Sequence, residues 1–148
     1  MGELRSKLES AIKDAMRSKD KLRLTTLRMV KSAIRYKEID SKAELGDPDI
    51  IQVLATMVKQ RTDSIKAFKE GGRDELADKE EQELKMLQEF LPPQMSPEDI
   101  LIKAKEVIED VGASGAKDFG KVMKAVMPLV RGMASGKEVT AIVKDLLT

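Results

Sequence analysis

Apolar residues recur at intervals of three and four from one end of this chain to the other. No segment alternates with the period of two that a half-buried strand requires. That pattern predicts an all-α protein. Leu4, Leu8, Ile12 and Met16, with Ala11 and Ala15, make the stripe of a first helix, which Ser18-Lys19-Asp20 breaks. Asp20 suits the N-cap of a second helix over about residues 21–39, since its carboxylate can accept a free first-turn N–H. This second helix is apolar over more than half its circumference (Leu22, Leu27, Met29, Val30, Ala33, Ile34, Tyr36), as in a helix packed against several others. Gly46-Asp47-Pro48 punctuates next, with Asp47 as the expected N-cap and Pro48 at the first helical position. The third helix runs to Gly71-Gly72, and a fourth covers about residues 74–90.

The clearest seam is Leu91-Pro92-Pro93-Gln94-Met95-Ser96-Pro97, because paired prolines cannot continue a helix. Ser96 then caps a new helix that opens on Pro97. Three stripes follow: Ile100, Leu101, Ala104, Val107, Ile108 and Val111; Phe119, Val122, Met123, Val126, Met127 and Val130; Val139, Ile142, Val143, Leu146 and Leu147. Ser135 and Glu138 have the spacing of a capping box before the last stripe. Three amphipathic helices with short connections predict a three-helix bundle. The expected organisation is a helical N-terminal domain of about four helices over residues 1–92 and a three-helix domain over residues 96–148.

One position violates the pattern. Ile50, Val53, Leu54, Met57, Ile65 and Phe68 share a face of the third helix, and Arg61 falls in its middle. On the fourth helix Leu76, Leu84, Leu87 and Leu91 form the stripe, and Glu80 and Glu83 fall inside it. An Arg on one apolar face and two carboxylates on the next predict an ion pair across the helix interface, since a buried charge needs a partner. The structural reading is a pair that fixes helix register. The functional one is a polar ligand pocket.

Composition removes most chemistry. The 148 residues include no His and no Cys, so an imidazole relay, a Cys or Ser-His nucleophile and a Cys/His zinc site are excluded. No di-metal Glu-x-x-His motif is possible, and no catalytic constellation, metal site or cofactor is expected. No apolar run approaches the ~20 residues needed to span a bilayer. Residues 1–10 carry charges where a signal peptide would be apolar, so a cytoplasmic protein without a membrane partner is expected.

Charge is unevenly placed: residues 1–40 hold eleven basic and six acidic groups, and residues 70–111 hold five and thirteen. Arg28, Lys31 and Arg35 form a basic strip on the second helix. Lys117, Lys121 and Lys124 form another in the tail, opposite Phe119, Val122 and Met123. Upstream, Gly112-Ala113-Ser114-Gly115 reads as a turn feeding a helix N-terminus, where free N–H groups are receptive to phosphate. The structural reading is that both strips are ordinary solvated helix faces and the glycines ordinary caps. Phe68, Phe90 and Phe119 lie on or beside core stripes, so any nucleic-acid contact is expected at backbone and not at splayed bases.

Three segments, LRMVKSAIRYKEID (residues 27–40), VKQRTDSIKAFKEGGRDELADKEEQELKMLQEFLPPQMS (58–96) and GASGAKDFGKVMKAVMP (112–128), resemble the YqeY family in order and along essentially the whole chain. The resemblance implies a helical N-terminal domain followed by a tail similar to the C-terminal domain of the glutamyl/aspartyl-tRNA amidotransferase B subunit. Related tails occur on some glutaminyl-tRNA synthetases. It implies a partner in tRNA, or in a tRNA-dependent amidotransferase or aminoacyl-tRNA synthetase. Ser114, Gly115, Lys117, Lys121 and Lys124 are then the residues expected to approach tRNA, and Arg28, Lys31 and Arg35 a possible second basic face. The family label of glutamine-dependent carbon–nitrogen ligase implies an amide-transfer component as one alternative. A protein–protein adaptor using the acidic face of residues 74–89 is another.

Overall fold

The computed structural model describes residues 2–148, and among them there are helices and no strand. The protein is all-α. The helices are α1 (Glu3–Ser18), α2 (Lys21–Ser41), α3 (Asp47–Glu70), α4 (Asp74–Gln88), α5 (Pro97–Val111), α6 (Phe119–Val130) and α7 (Gly136–Leu147), with a single 3-10 turn at Ala116–Asp118. They fall into two compact units, Met1–Leu91 and Pro92–Thr148.

In the first unit α1 ends on Lys19, which adopts the left-handed conformation (φ 60°) and lets the next amide, of Asp20, reach the Ala15 carbonyl. Asp20 then caps α2 by accepting from the Arg23 amide at 3.1 Å, so one connection both stops a helix and starts another. Lys42 (φ 55°) ends α2 in the same way. The following loop buries Leu45 and is anchored by Glu38, whose carboxylate accepts from the Leu45 amide (2.9 Å) and from Arg5 (2.6 Å). Both bonds hold the Glu38 carboxyl below the usual carboxylate range, the backbone bond most strongly.

Gly46, not Asp47, is the N-cap of α3: its carbonyl accepts from Asp49 and Ile50, while Asp47 is already helical. The pairing of α3 with α4 turns on Gly72 (φ 71°), and the Arg73 amide returns to the Phe68 carbonyl at 2.7 Å. Leu27, Val30, Leu54, Ile50 and Leu87 are fully enclosed at the centre of this unit. One expectation fails on α2. Met29 (43% exposed) and Tyr36 (72%) stand largely outside the core. Period identifies an apolar face but does not supply a neighbour to cover it, and here the core takes only the arc around Leu27, Val30 and Ile34.

The second unit starts on a reciprocal capping box: Ser96 Oγ accepts from the Asp99 amide and Asp99 from the Ser96 amide. At α7 only half of that motif forms. Ser135 accepts from the Glu138 amide, with no return bond from the Glu138 carboxylate among the described residues. The core is aliphatic and mostly β-branched, built from Ile100, Ala104, Val122, Val126, Val130, Val139 and Val143. Gly132 (φ 78°) makes the turn between α6 and α7, a conformation glycine adopts without Cβ strain. The chain entering this unit is fixed to that turn. Met95 donates its amide to the Met133 carbonyl (2.8 Å), and the Gln94 side chain donates to the carbonyls of Gly132 (2.8 Å) and Pro92 (2.9 Å).

Candidate functional site

Arg61 lies inside the α3–α4 interface, 9% exposed. Its Nε stands 3.4 Å from Glu83 and 3.7 Å from Glu80, with Glu83 8% exposed and Glu80 about one-quarter exposed at the side chain. The Nε is buried without an aligned hydrogen bond, so the attraction is mainly coulombic and not the two-pronged fork an Arg and a carboxylate can form. One Nη2–H is directed at the Met29 sulfur of α2, at 3.6 Å. Two carboxylates share one guanidinium, and burial together with the neighbouring Glu83 raises the Glu80 carboxyl above its ordinary value despite Arg61.

The outer side of this cluster opens into a groove between α2 and α3, with a volume of about 610 Å³. Met29, Ala33, Tyr36 and Met57 give it apolar walls, and Thr25, Ser32 and Gln60 supply hydrogen-bonding groups. Arg28 and Arg61 are its charged residues, and no carboxylate lines it. Sequence reasoning placed Met29 and Tyr36 in the core and so missed them as surface. The available signal was the width of the α2 apolar arc, which exceeds what one core can cover.

Arg28, Lys31 and Arg35 are all exposed along α2. None of the three has a carboxylate within ion-pair distance among the described residues, whereas Arg5, Arg17, Arg23 and Arg61 each do. In the second unit Lys117, Lys121 and Lys124 are likewise exposed and outside the ion pairs of the described residues. Lys121 and Lys124 lie on the outer face of α6, and Lys117 sits on the 3-10 turn before it. Arg131, exposed at the end of α6, extends this basic run and was not singled out by the sequence. Lys144 of α7 stands over the Phe119 ring, 5.7 Å from its centre.

The turn at residues 112–115 is arranged differently from the phosphate-receptive helix start that was expected. Gly112 (φ 68°) terminates α5, and the chain makes the 3-10 turn before α6 begins. The Ser114 amide already donates to the Asp118 carboxylate at 3.0 Å. A side-chain anion of the protein therefore occupies that donor, and the exposed cationic groups here are lysine side chains. No group of three or more acidic residues suited to holding a metal ion occurs among the described residues. No helix among them is long and apolar enough to cross a membrane.

A family model described as "Yqey-like protein" matches residues 5–147. A protein of Vanderwaltozyma polyspora named "Altered inheritance of mitochondria protein 41, mitochondrial" is 37% identical over 123 residues, 78% of this chain and 66% of its own length. Its namesake in Candida glabrata is 36% identical over 72% of this chain and 61% of its own, and that of Kluyveromyces lactis 35% over 82% and 70%. The chain thus spans roughly two-thirds of the length of these relatives. Their names are mitochondrial, which overturns the expectation of a cytoplasmic protein.

Proposed function

The chain belongs to the Yqey-like protein family, and from that premise we propose that it is a non-catalytic accessory protein that binds tRNA through its C-terminal unit. The observation that carries this reading is the exposed set Lys117, Lys121 and Lys124, free of intramolecular ion pairs among the described residues. A lysine without a carboxylate neighbour retains its full attraction for phosphate and displaces a condensed counterion when it binds. The acidic residues of this unit fall largely on α5, away in sequence from α6, so a unit with eight basic and eight acidic groups still presents one cationic helix. Contacts of this kind hold and orient a nucleic acid without reading its bases. The role is therefore positioning, with chemistry left to a partner such as a tRNA-dependent amidotransferase or aminoacyl-tRNA synthetase. For compartment, the fungal relatives point to mitochondria.

The alternative of glutamine-dependent amide transfer by this chain has kinship in its favour and no residue constellation to perform it, the sequence holding neither His nor Cys. Fluorescence anisotropy of labelled tRNA with the full chain tests the proposal at low and physiological salt. Affinity should fall steeply with salt. The Lys117→Ala/Lys121→Ala/Lys124→Ala variant should bind more weakly, with the log–log salt slope reduced by about one per lysine. Absence of binding at low salt, or a triple variant indistinguishable from the parent, would overturn it.

A further inference from the structure

Tyr36 is the only tyrosine in a chain with no tryptophan, and it is 72% exposed. The three phenylalanines are buried or half-buried, so Tyr36 is the aromatic ring that offers most of its face to solvent. Its surroundings set it apart from a stray surface residue. Arg28, Ser32 and Tyr36 follow one another at intervals of four on α2, and residues so spaced lie in one row along a helix. Arg35 adjoins this row in sequence, and Lys31 stands one turn before Arg35. The row borders the groove that also presents Gln60 and Met57 from α3.

The charges are one-sided. The groove has two guanidinium groups and no carboxylate in its lining; Arg61 is paired behind it with Glu80 and Glu83, and Arg28 is in no ion pair among the described residues. Asp40, one turn beyond Tyr36, lies outside that lining. Arg35 borders a second depression that holds Glu38 and Glu44 but has an ion pair with neither. An exposed ring, unpaired cations in register beside it and side-chain amide and hydroxyl groups in the adjoining wall match the parts of a nucleotide: base face, phosphate and base edge. An acidic peptide would use the cations and the apolar wall but has no particular need of the flat ring.

We propose that the α2–α3 groove is a second nucleic-acid contact that takes an unpaired nucleotide of RNA, its base stacked on Tyr36 and its flanking phosphates held by Arg28, Lys31 and Arg35. This extends the tRNA-binding reading and takes its ligand class from it. The groove thereby adds contact with a base to the backbone grip of α6.

The chain reports on this site by itself, because its intrinsic tyrosine emission comes from Tyr36 alone. Single-stranded RNA 12-mers, oligo(A) and oligo(U), are titrated into the full chain at low salt. Tyrosine emission and the anisotropy of labelled RNA are followed together. Stacking should quench the emission on saturation. Tyr36→Ala should weaken 12-mer binding about 5- to 150-fold. Tyr36→Phe, which keeps the ring, should bind within about threefold of the parent, and unchanged far-UV dichroism will show that both variants fold. The triple lysine variant should still be quenched by the 12-mers while losing affinity for tRNA, which separates the two sites. Binding of tRNA without quenching, or a Tyr36→Ala variant equal to the parent, would overturn the groove assignment and leave the α6 grip standing. Failure of both 12-mers to bind would also overturn it, as would quenching by polyglutamate equal to that by RNA, which would mark the groove as a site for an acidic peptide. Quenching by 12-mers with tRNA affinity indifferent to the lysines would support the groove and remove the α6 grip.

Discussion

Replacing Arg61 by alanine tests how far the first unit depends on one internal cation. The substitution leaves Glu83, 8% exposed, without its counter-charge, and Glu80 beside it. Removing one partner of a buried ion pair costs about 3–5 kcal/mol. Two features of the structure favour the lower end. The guanidinium is 3.4 Å and 3.7 Å from the carboxylates without an aligned Nε bond, and Glu80 is one-quarter exposed and can draw water. We expect a loss of about 3 kcal/mol. For a unit of about 90 residues, ~1 kcal/mol moves Tm by about 4–8 °C, so the melt should drop by about 12–24 °C. Calorimetry and far-UV dichroism of the full chain at pH 7 measure it. The loss should be smaller near pH 4. Arg61 offsets part of the rise that burial and Glu83 impose on the Glu80 carboxyl, and without it Glu80 rises further. A carboxyl raised in the folded state contributes stability below its unfolded value of 4.5 and loses it as pH climbs through the folded value. Arg61→Met keeps most of the stem volume and should fall nearly as far, since charge and not the cavity dominates. A drop of less than about 4 °C for Arg61→Ala at pH 7, or an Arg61→Met variant as stable as the parent, would refute the account.

The same sign argument makes Glu80→Gln a stabilising change at pH 7: the neutral amide removes the cost of ionising a partly buried carboxyl beside Glu83, and the gain in Tm should vanish below pH 4.5. Glu38 behaves oppositely, because its carboxyl is held down by the Leu45 amide and Arg5. The stability it contributes is present above 4.5 and lost as pH falls, so hydrogen exchange at Leu45 should accelerate relative to the core below pH 4.5, and Glu38→Gln should show that faster exchange already at pH 7. Ser96→Ala removes one half of a complete capping box and should destabilise by about 1 kcal/mol, read by denaturant titration.

The caps and stripes legible in the sequence were those whose meaning is local. Asp20, Ser96, Pro97 and the valine stripe of α6 each depend on neighbours within four residues, which is the range that helical geometry couples. Met29 and Tyr36 were misplaced because burial depends on whether another helix arrives, and that is decided by residues far away in the chain. Leu76 shows the same error on α4, where it is 40% exposed. The basic strip was visible as charge, but its standing beside an open groove required knowing which side of α2 the core occupies. At residues 112–115 the glycines signalled a turn correctly in kind. The Asp118 carboxylate that fills the Ser114 donor was overlooked, since its turn back toward that amide depends on the 3-10 turn between them.

The two hydrogen bonds that fasten Gln94 and Met95 to the Gly132–Met133 turn change how the proline-rich seam should be understood. A stretch with two prolines and no helix invites comparison with a hinge, the kind of exposed strand a protease threads through its cleft. Here the strand is clasped at its middle by a turn almost forty residues further along, so presenting it to a protease means first prising open the α6–α7 corner of the tail. Vulnerability at the seam is therefore set by the opening free energy of the tail and not by the composition of the seam. Limited proteolysis would register the second unit as beginning at its clasp, whereas composition alone would have cut through it.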